Sequence, residues 1–363
     1  MKIAVVHDYL CGVGGSDRIF QYLCEEFVEA DVYTLAYNPA RALPYFKNRK
    51  IHTSLLNKLV QSPGAFRLSF PIATYVMQLM DFSRYDVVLS SSATTAKYIT
   101  VPHGIHVCYC YIPTRAIWHY EEYFERSINA RIFALMLPYL QRRDYQAAQK
   151  VDKFIAISNA SRDYIKEYYH RDADVINCPI ETDKFHPSTK KKEHFLLVSR
   201  LEYWKKVDYA VEAFNTLGLP LRIIGTGREE RRLREMAKPN ITFLGEVDDT
   251  MLAREYSEAR AVVFTPYLEY GLIPLEANAS GTPVICLGKG GVTEIMLPAL
   301  PGATAGQKPT AVFFPEQTAD ALVAAVLNFE RYKFISADLV THAAKWSVPA
   351  FKSKMRSYIN KLI

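Results

Sequence analysis

With 363 residues, 49% of them apolar and 23% charged, the chain is too long for one ordinary core, holds apolar material for two, and is excluded from the disordered class. The net charge of +6 is modest, and no aromatic and basic ribbon accompanies the basic runs "RRLREMAK" and "STKKKEHF". Nucleic acid is therefore not the expected partner, which leaves a small anionic ligand or plain solvated surface for those cations.

The opening "MKIAVVHDYL" has too short an apolar run for a secretory leader, and no apolar run reaches the roughly 20 residues of a spanning helix. "KIAVV" reads as a strand, the glycine-rich "CGVGGSD" as a tight loop, and Ile19, Phe20, Leu23 and Phe27 as one face of a helix. The pattern returns at "DVYTL", "YDVVLS", "HVCYCYI", "DKFIAIS" and "DVIN", with helical material between. Such alternation predicts a parallel sheet covered on both faces. Within this half, "LNKLVQSPGAFRLSFPIATYVMQLM" suits either a helical core or acceptor lobe, or a peripheral membrane contact. Cys11, Cys24, Cys108, Cys110, Cys178 and Cys286 form no C-x-x-C pair and are expected to be reduced, buried thiols of a cytosolic protein.

"CPIETDKFHPSTKKKEH" is rich in proline and charge, lacks an apolar period, and reads as the link between domains. A second series follows in "FLLVSR", "LRIIG", "ITFLG", "AVVFT" and "TPVICL". Between the first two strands, Val207, Ala210, Val211, Phe214 and Leu217 share a helix face. The expected division is 1–180 and 181–345, with a C-terminal helix over 346–363 returning to the first domain. A cleft between two α/β domains is the default seat for a ligand.

The stretch "PYLEYGLIPLEANASGTPVI" supplies chemistry for such a seat. Gly271 gives a turn, Pro274 suits a first helical turn, and the backbone at Leu272 and Ile273 is a candidate phosphate site because helix N-termini attract anions. Glu276, placed by this reading in the first turn, either accepts hydrogen bonds from sugar hydroxyls or stabilises its own helix end. "SRLEYWKK" sets Arg200 after a strand and Lys205 where the next helix should begin, cations suited to phosphate oxygens or to bare surface. Gly12, Gly14 and Gly15 would let backbone approach an acceptor or phosphate closely.

The run "FLLVSRLEYWKKVDYAVEAFNTLGLPLRIIGTGREERRL", with "NITFLGEV" and "EYGLIPLEANASGTPVICLGKGGVTE", resembles the donor-binding half of glycosyltransferase family four. "HDYLCGVGGSDR", "YDVVLSSSATTAK", "CYCYIPTRAIW", "VDKFIAIS" and "PIETDKF" resemble blocks of bacterial mannosyltransferases that use GDP-mannose to build surface polysaccharides. The resemblance implies a GT-B fold, two Rossmann-like domains facing across a cleft, and a retaining enzyme that needs neither cofactor nor metal ion. It further implies a nucleotide-sugar donor, a saccharide or lipid-linked acceptor, and a place in the cytoplasm at the inner membrane face. By motif position Arg200 and Lys205 neutralise the diphosphate and Glu276 binds the ribose. Gly271, Leu272 and Ile273 offer backbone near the diphosphate, while Gly225, Gly227 and the turn through Gly245, Glu246 and Val247 border the base. Arg115 and Trp118 match positions bordering the cleft, where a Trp serves as core filling or as a sugar platform.

Two positions depart from the family pattern. A second Glu usually stands eight residues before Glu276, where this chain has Leu268, with Glu269 displaced by one. The usual His before Thr-Pro, facing the donor sugar, is here Tyr111. The reading is accordingly a glycosyltransferase whose catalytic set is Arg200, Lys205 and Glu269; the alternative is a catalytically weak nucleotide-sugar-binding subunit that supports a partner enzyme.

Overall fold

Strand β1 (Ile3–His7) is buried along its whole length, as a strand covered on both faces must be. The computed structural model describes residues 2–120, 128–300 and 308–362. It divides into two units, one of Met1–Cys178 with Phe351–Ile363, the other of Pro179–Ala350.

In the first unit β2 (Asp31–Thr34), β3 (Ile51–Thr53), β4 (Val87–Ser92), β5 (Ile105–Cys110), β6 (Lys153–Ala156) and β7 (Ala173–Val175) join β1 in a seven-stranded sheet. The order is β3-β2-β1-β4-β5-β6-β7 and every pairing is parallel, with Val5 set between Val32 and Leu89. One face is packed by Phe66, Phe70, Met77, Phe82 and Tyr98, and another cluster gathers Cys108, Phe154 and Tyr169. All six cysteines are free and buried. The helix Pro63–Gln78 commits Phe66, Phe70, Ala73 and Met77 to this core, so its segment is in part the expected helical core. No helix among the described residues is long and apolar enough to cross a membrane.

A polar hub sits inside this unit on the helix Ile128–Gln149. Asp144 is fully buried and pairs with the equally buried Lys97 at 2.8 Å. It also accepts from the hydroxyls of Tyr98 and Tyr169, each at 2.6 Å, and from the Trp118 indole at 2.8 Å. Burial, reinforced by the Asp144 charge, pushes both phenols well above their ordinary values. The helix Val348–Asn360 is fastened to the same unit by Lys352 on Glu25 at 2.6 Å and Arg356 on Glu26 and Glu29 at 2.9 and 2.8 Å.

In the second unit β8 (Phe195–Val198), β9 (Leu221–Ile224), β10 (Ile241–Gly245), β11 (Val262–Phe264), β12 (Val284–Leu287) and β13 (Ala311–Phe314) form a parallel sheet in the order β10-β9-β8-β11-β12-β13. The predicted helix face is real: Val207, Ala210, Val211 and Phe214 of Val207–Leu217 are buried. Both sheets change direction of strand order beside their first strand, at β1/β4 and at β8/β11. Ligands of open parallel sheets gather beyond the carboxyl ends of the strands at such switch points.

Candidate functional site

The switch point of the second unit brings the predicted cations and the predicted helix start to adjacent loops. Arg200 follows β8 and is exposed; Lys205 closes the short 3-10 turn Tyr203–Lys205. The loop after β11 reaches back, and the Thr265 hydroxyl donates to the Lys205 carbonyl at 2.9 Å. Trp204, which sequence reading passed over, lies between the two cations. Its ring centroid is 5.8 Å from the Arg200 guanidinium carbon and 4.1 Å from the Lys205 ammonium. Such contacts contribute about 0.5–1 kcal/mol each at exposed sites, enough to bias where two flexible cations rest. The signal was present in "EYWKK" as an aromatic next to lysines.

The glycines expected at the base turn prove to hold Arg200's own loop. Ser199 and Leu201 donate backbone hydrogen bonds to Ile224 and Thr226, at 3.0 and 2.9 Å, which lays the chain after β8 along the chain after β9. Gly225 has φ of +125°, and a Cβ there would sit 1.9 Å from the Ser199 carbonyl oxygen; one on Gly227 would sit 2.3 Å from that of Leu201. Gly225 in turn donates to the Gly245 carbonyl at 2.8 Å, so the turn bearing exposed Glu246 and half-buried Val247 is tied to the same ladder of loops. Gly225→Ala is expected to cost at least about 2 kcal/mol in a denaturant titration and to displace Arg200, because both the dihedral and the contact forbid a methyl. A parental midpoint would mean that the loop has room the geometry denies it.

The helix after β11 spans Leu272–Ala279 with Gly271 as an uncapped N-cap. The Leu272 and Ile273 side chains pack on the apolar cluster beneath, while their N–H groups fall in the turn that has no intrahelical acceptor. Pro274 lies in that turn as expected. Glu276 does not: it is the fifth helical residue, in the second turn, because the helix begins only at Leu272. The carboxylate is set instead by a residue twenty positions earlier, Tyr256, whose fully buried hydroxyl donates to Glu276 Oε2 at 2.9 Å. Burial and then the Glu276 charge push that phenol well above its ordinary value. No sequence pattern announces this partner. Leu268 packs on the apolar cluster, and half-buried Glu269 follows it. Their backbone rests on the glycines after β12: a Cβ on Gly291 would come 1.9 Å from the Glu269 carbonyl oxygen, and Gly291 N–H donates to the Leu268 carbonyl at 2.9 Å.

In the first unit the switch point carries Gly12, Gly14 and Gly15. Gly14 caps the helix Gly15–Glu26 in extended conformation, and a Cβ on Gly15 would meet no atom within 4 Å. Beside them Asp8, also missed from sequence, is buried and accepts from the backbone N–H groups of Ala93, Thr94, Thr95 and Ala96 at 2.7, 3.0, 2.7 and 2.6 Å. It fixes the loop after β4 against the loop after β1. Tyr111, at the end of β5, donates its hydroxyl to the Ser16 carbonyl at 3.1 Å and meets Ser91 Oγ at 2.9 Å. Ser91 Oγ in turn lies 3.1 Å from His7 Nδ1, and burial keeps the Tyr111 phenol protonated far above its ordinary range. Arg115 opens the short helix Arg115–Trp118. Trp118 gives its N–H to Asp144 and stacks on Tyr168 at 4.9 Å, a packing role within this unit.

Two family models cover this chain almost end to end. The model described as "Glycosyltransferase Family 4" matches residues 13–184, and "Glycosyl transferases group 1" matches 179–346. Glycogen synthase of Mycobacterium tuberculosis is 30% identical over 179 residues, which is 44% of this chain and 43% of that protein. The chain matches less than half the length of the first curated relatives. Sucrose-phosphate synthase of Thermosynechococcus elongatus superposes with a TM-score of 0.74 at 16% identity, covering 100% of this chain and 99% of that one. Anabaena HepE, solved in complex with UDP, gives 0.69 at 14% identity, covering 99% and 100%. These likenesses establish the GT-B fold.

Proposed function

We propose that this chain, which belongs to the family-four type of glycosyltransferase, transfers a sugar from a nucleotide-diphosphate sugar to a saccharide or lipid-linked saccharide. The observation that carries the reading is the pairing, at the second unit's switch point, of Arg200 and Lys205 with the uncapped helix start at Gly271–Ile273. Breaking a glycosyl phosphate bond moves negative charge onto the departing diphosphate, and cations with oriented N–H groups stabilise that charge. The acceptor oxygen approaches from the face that the diphosphate leaves, so transfer proceeds with retention, and its proton goes to a leaving phosphate oxygen, so no protein base is required. Glu276, held by Tyr256, binds the ribose hydroxyls; the turn at Gly245–Val247 borders the base. The acceptor is assigned to the first unit's glycine-rich loop.

GDP-mannose or a related donor is the reading that the resemblance favours. Leu268 on the apolar cluster and Tyr111 bonded to Ser16 leave fewer polar groups for the sugar, which favours a donor with fewer hydroxyl demands and is also the support for a binding subunit of low turnover. A binding screen across GDP, UDP and ADP sugars, followed by transfer assays with those that bind, separates these outcomes. Failure of every nucleotide sugar to bind would overturn the proposal itself.

Glu276→Ala is expected to weaken donor binding by about 1.5–3 kcal/mol, the range for a hydrogen bond to a charged acceptor, while changing stability less. Equal affinity in variant and parent would return Glu276 to a helix-surface charge. Transfer is also expected to survive exhaustive chelation, since Arg200, Lys205 and the helix start meet the diphosphate charge. Loss of transfer in EDTA, restored by magnesium or manganese, would contradict that assignment.

A further inference from the structure

In the proposed donor site the base borders the turn after β10, and the diphosphate sits between the loop after β8 and the helix start after β11. The sheet order is β10-β9-β8-β11-β12-β13, so a donor laid across these carboxyl ends carries its sugar toward β12. One strand is a step of about 4.8 Å, on the scale of the distance from a phosphate to the sugar ring it carries. On that reading the loop after β12, residues 288–291, borders the sugar to be transferred.

This loop is a fixed mount for one side chain. At one end Gly288 donates to the Phe314 carbonyl at 2.9 Å, and a Cβ on it would meet Phe313 at 3.1 Å. At the other, Gly290 has φ of +77°, a Cβ there would come 2.6 Å from the Leu268 carbonyl oxygen, and Gly291 donates to that same oxygen. Between them stands Lys289, the one residue of "GKGG" that is not glycine, and it is exposed. The loop it faces reads "TPYLEYGL" and holds a single carboxylate, Glu269. Lys289 lies outside ion-pair distance of that group and of every other carboxylate among the described residues, although the two backbones touch. Leu268 packs on the apolar cluster, and the side chain that reaches Gly290 is the exposed ring of Tyr267, 3.3 Å from where a Cβ would be.

Arg200, Lys205 and the helix start already meet the charge of the diphosphate. A further unpaired cation, one strand past them, suits a second anion on the same ligand, and at that distance the anion belongs to the sugar. A uronic acid supplies it by carrying a carboxylate at C6 where the neutral hexose has a hydroxymethyl group, and it asks for one hydroxyl partner fewer, in keeping with Leu268.

We propose that the donor is a nucleotide-diphosphate uronic acid whose carboxylate is bound by Lys289. The inference rests on the donor site proposed above and names the sugar it takes.

The test is calorimetric titration of the full chain with two donor pairs that differ only at C6, UDP-glucose with UDP-glucuronate and GDP-mannose with GDP-mannuronate. In the pair whose base the chain accepts, the acid is expected to bind about tenfold or more tighter than the neutral sugar, as a charge-assisted hydrogen bond allows, and the preference should shrink at about 0.5 M salt. Lys289→Met should remove the preference, its loss falling on the acid, whereas Lys289→Arg should keep it. Both variants are expected to keep the parental thermal midpoint, because the side chain is exposed. A parent that binds the neutral sugar as tightly as the acid overturns the inference and leaves the donor site standing. Equal loss on both sugars in Lys289→Met overturns it too, and gives Lys289 to the diphosphate. Binding of none of the four donors would overturn the donor site itself, and the uronic acid with it.

Discussion

Replacing Arg200 by Ala is expected to lower kcat/KM for sugar transfer by about 10²-fold or more, and Lys205→Ala should do the same. In the proposed reaction both act on charge that develops as the diphosphate leaves, where removal of a single well-placed donor costs on the order of 10²–10³ in rate. The two cations share Trp204 and one loop, stitched to β11 through Thr265 and to β9 through Ser199 and Leu201. Their effects should therefore be non-additive, the double variant losing less than the product of the singles. Steady-state kinetics on the three variants, with donor affinity measured alongside, gives the coupling. Parental transfer by the double variant would require a phosphate seat elsewhere in the fold.

The largest effect on stability is expected at Asp144. Asp144→Ala leaves Lys97 buried without its anion and strips acceptors from Tyr98, Tyr169 and Trp118, all within the first unit. Breaking a buried pair by removing one partner costs about 3–5 kcal/mol. Replacing both members, Lys97→Met with Asp144→Leu, should cost less than Asp144→Ala alone, since the orphaned charge is then gone. Chemical denaturation of the single and double variants tests this. A loss below about 1 kcal/mol in Asp144→Ala would show that water reaches Lys97.

Local periodicity is the part of this protein that can be read straight off the chain. Runs such as "KIAVV" and "YDVVLS" are strands because unbroken apolar residues bury both faces of a parallel strand. Val207, Ala210, Val211 and Phe214 made their helix legible through a spacing near 3.6 residues. The edge strands β3 and β13 escaped notice. Ile51–Thr53 is three residues long and half-exposed throughout, and Ala311–Phe314 is a short apolar run with no period of its own, so each is a strand only because a neighbour offers it hydrogen bonds. The candidate site divides in the same way. Arg200, Lys205 and the turn at Gly271 could be named from residue type and position along the chain. Tyr256 as the anchor of Glu276, Asp8 as the clasp of the loop after β4, and Asp144 as the partner of Trp118 could not. Each joins residues 20 to 88 positions apart. A hydrogen bond across that distance depends on which strands the sheet sets side by side, and strand order is fixed by packing of the whole unit, of which no single stretch of sequence carries a record.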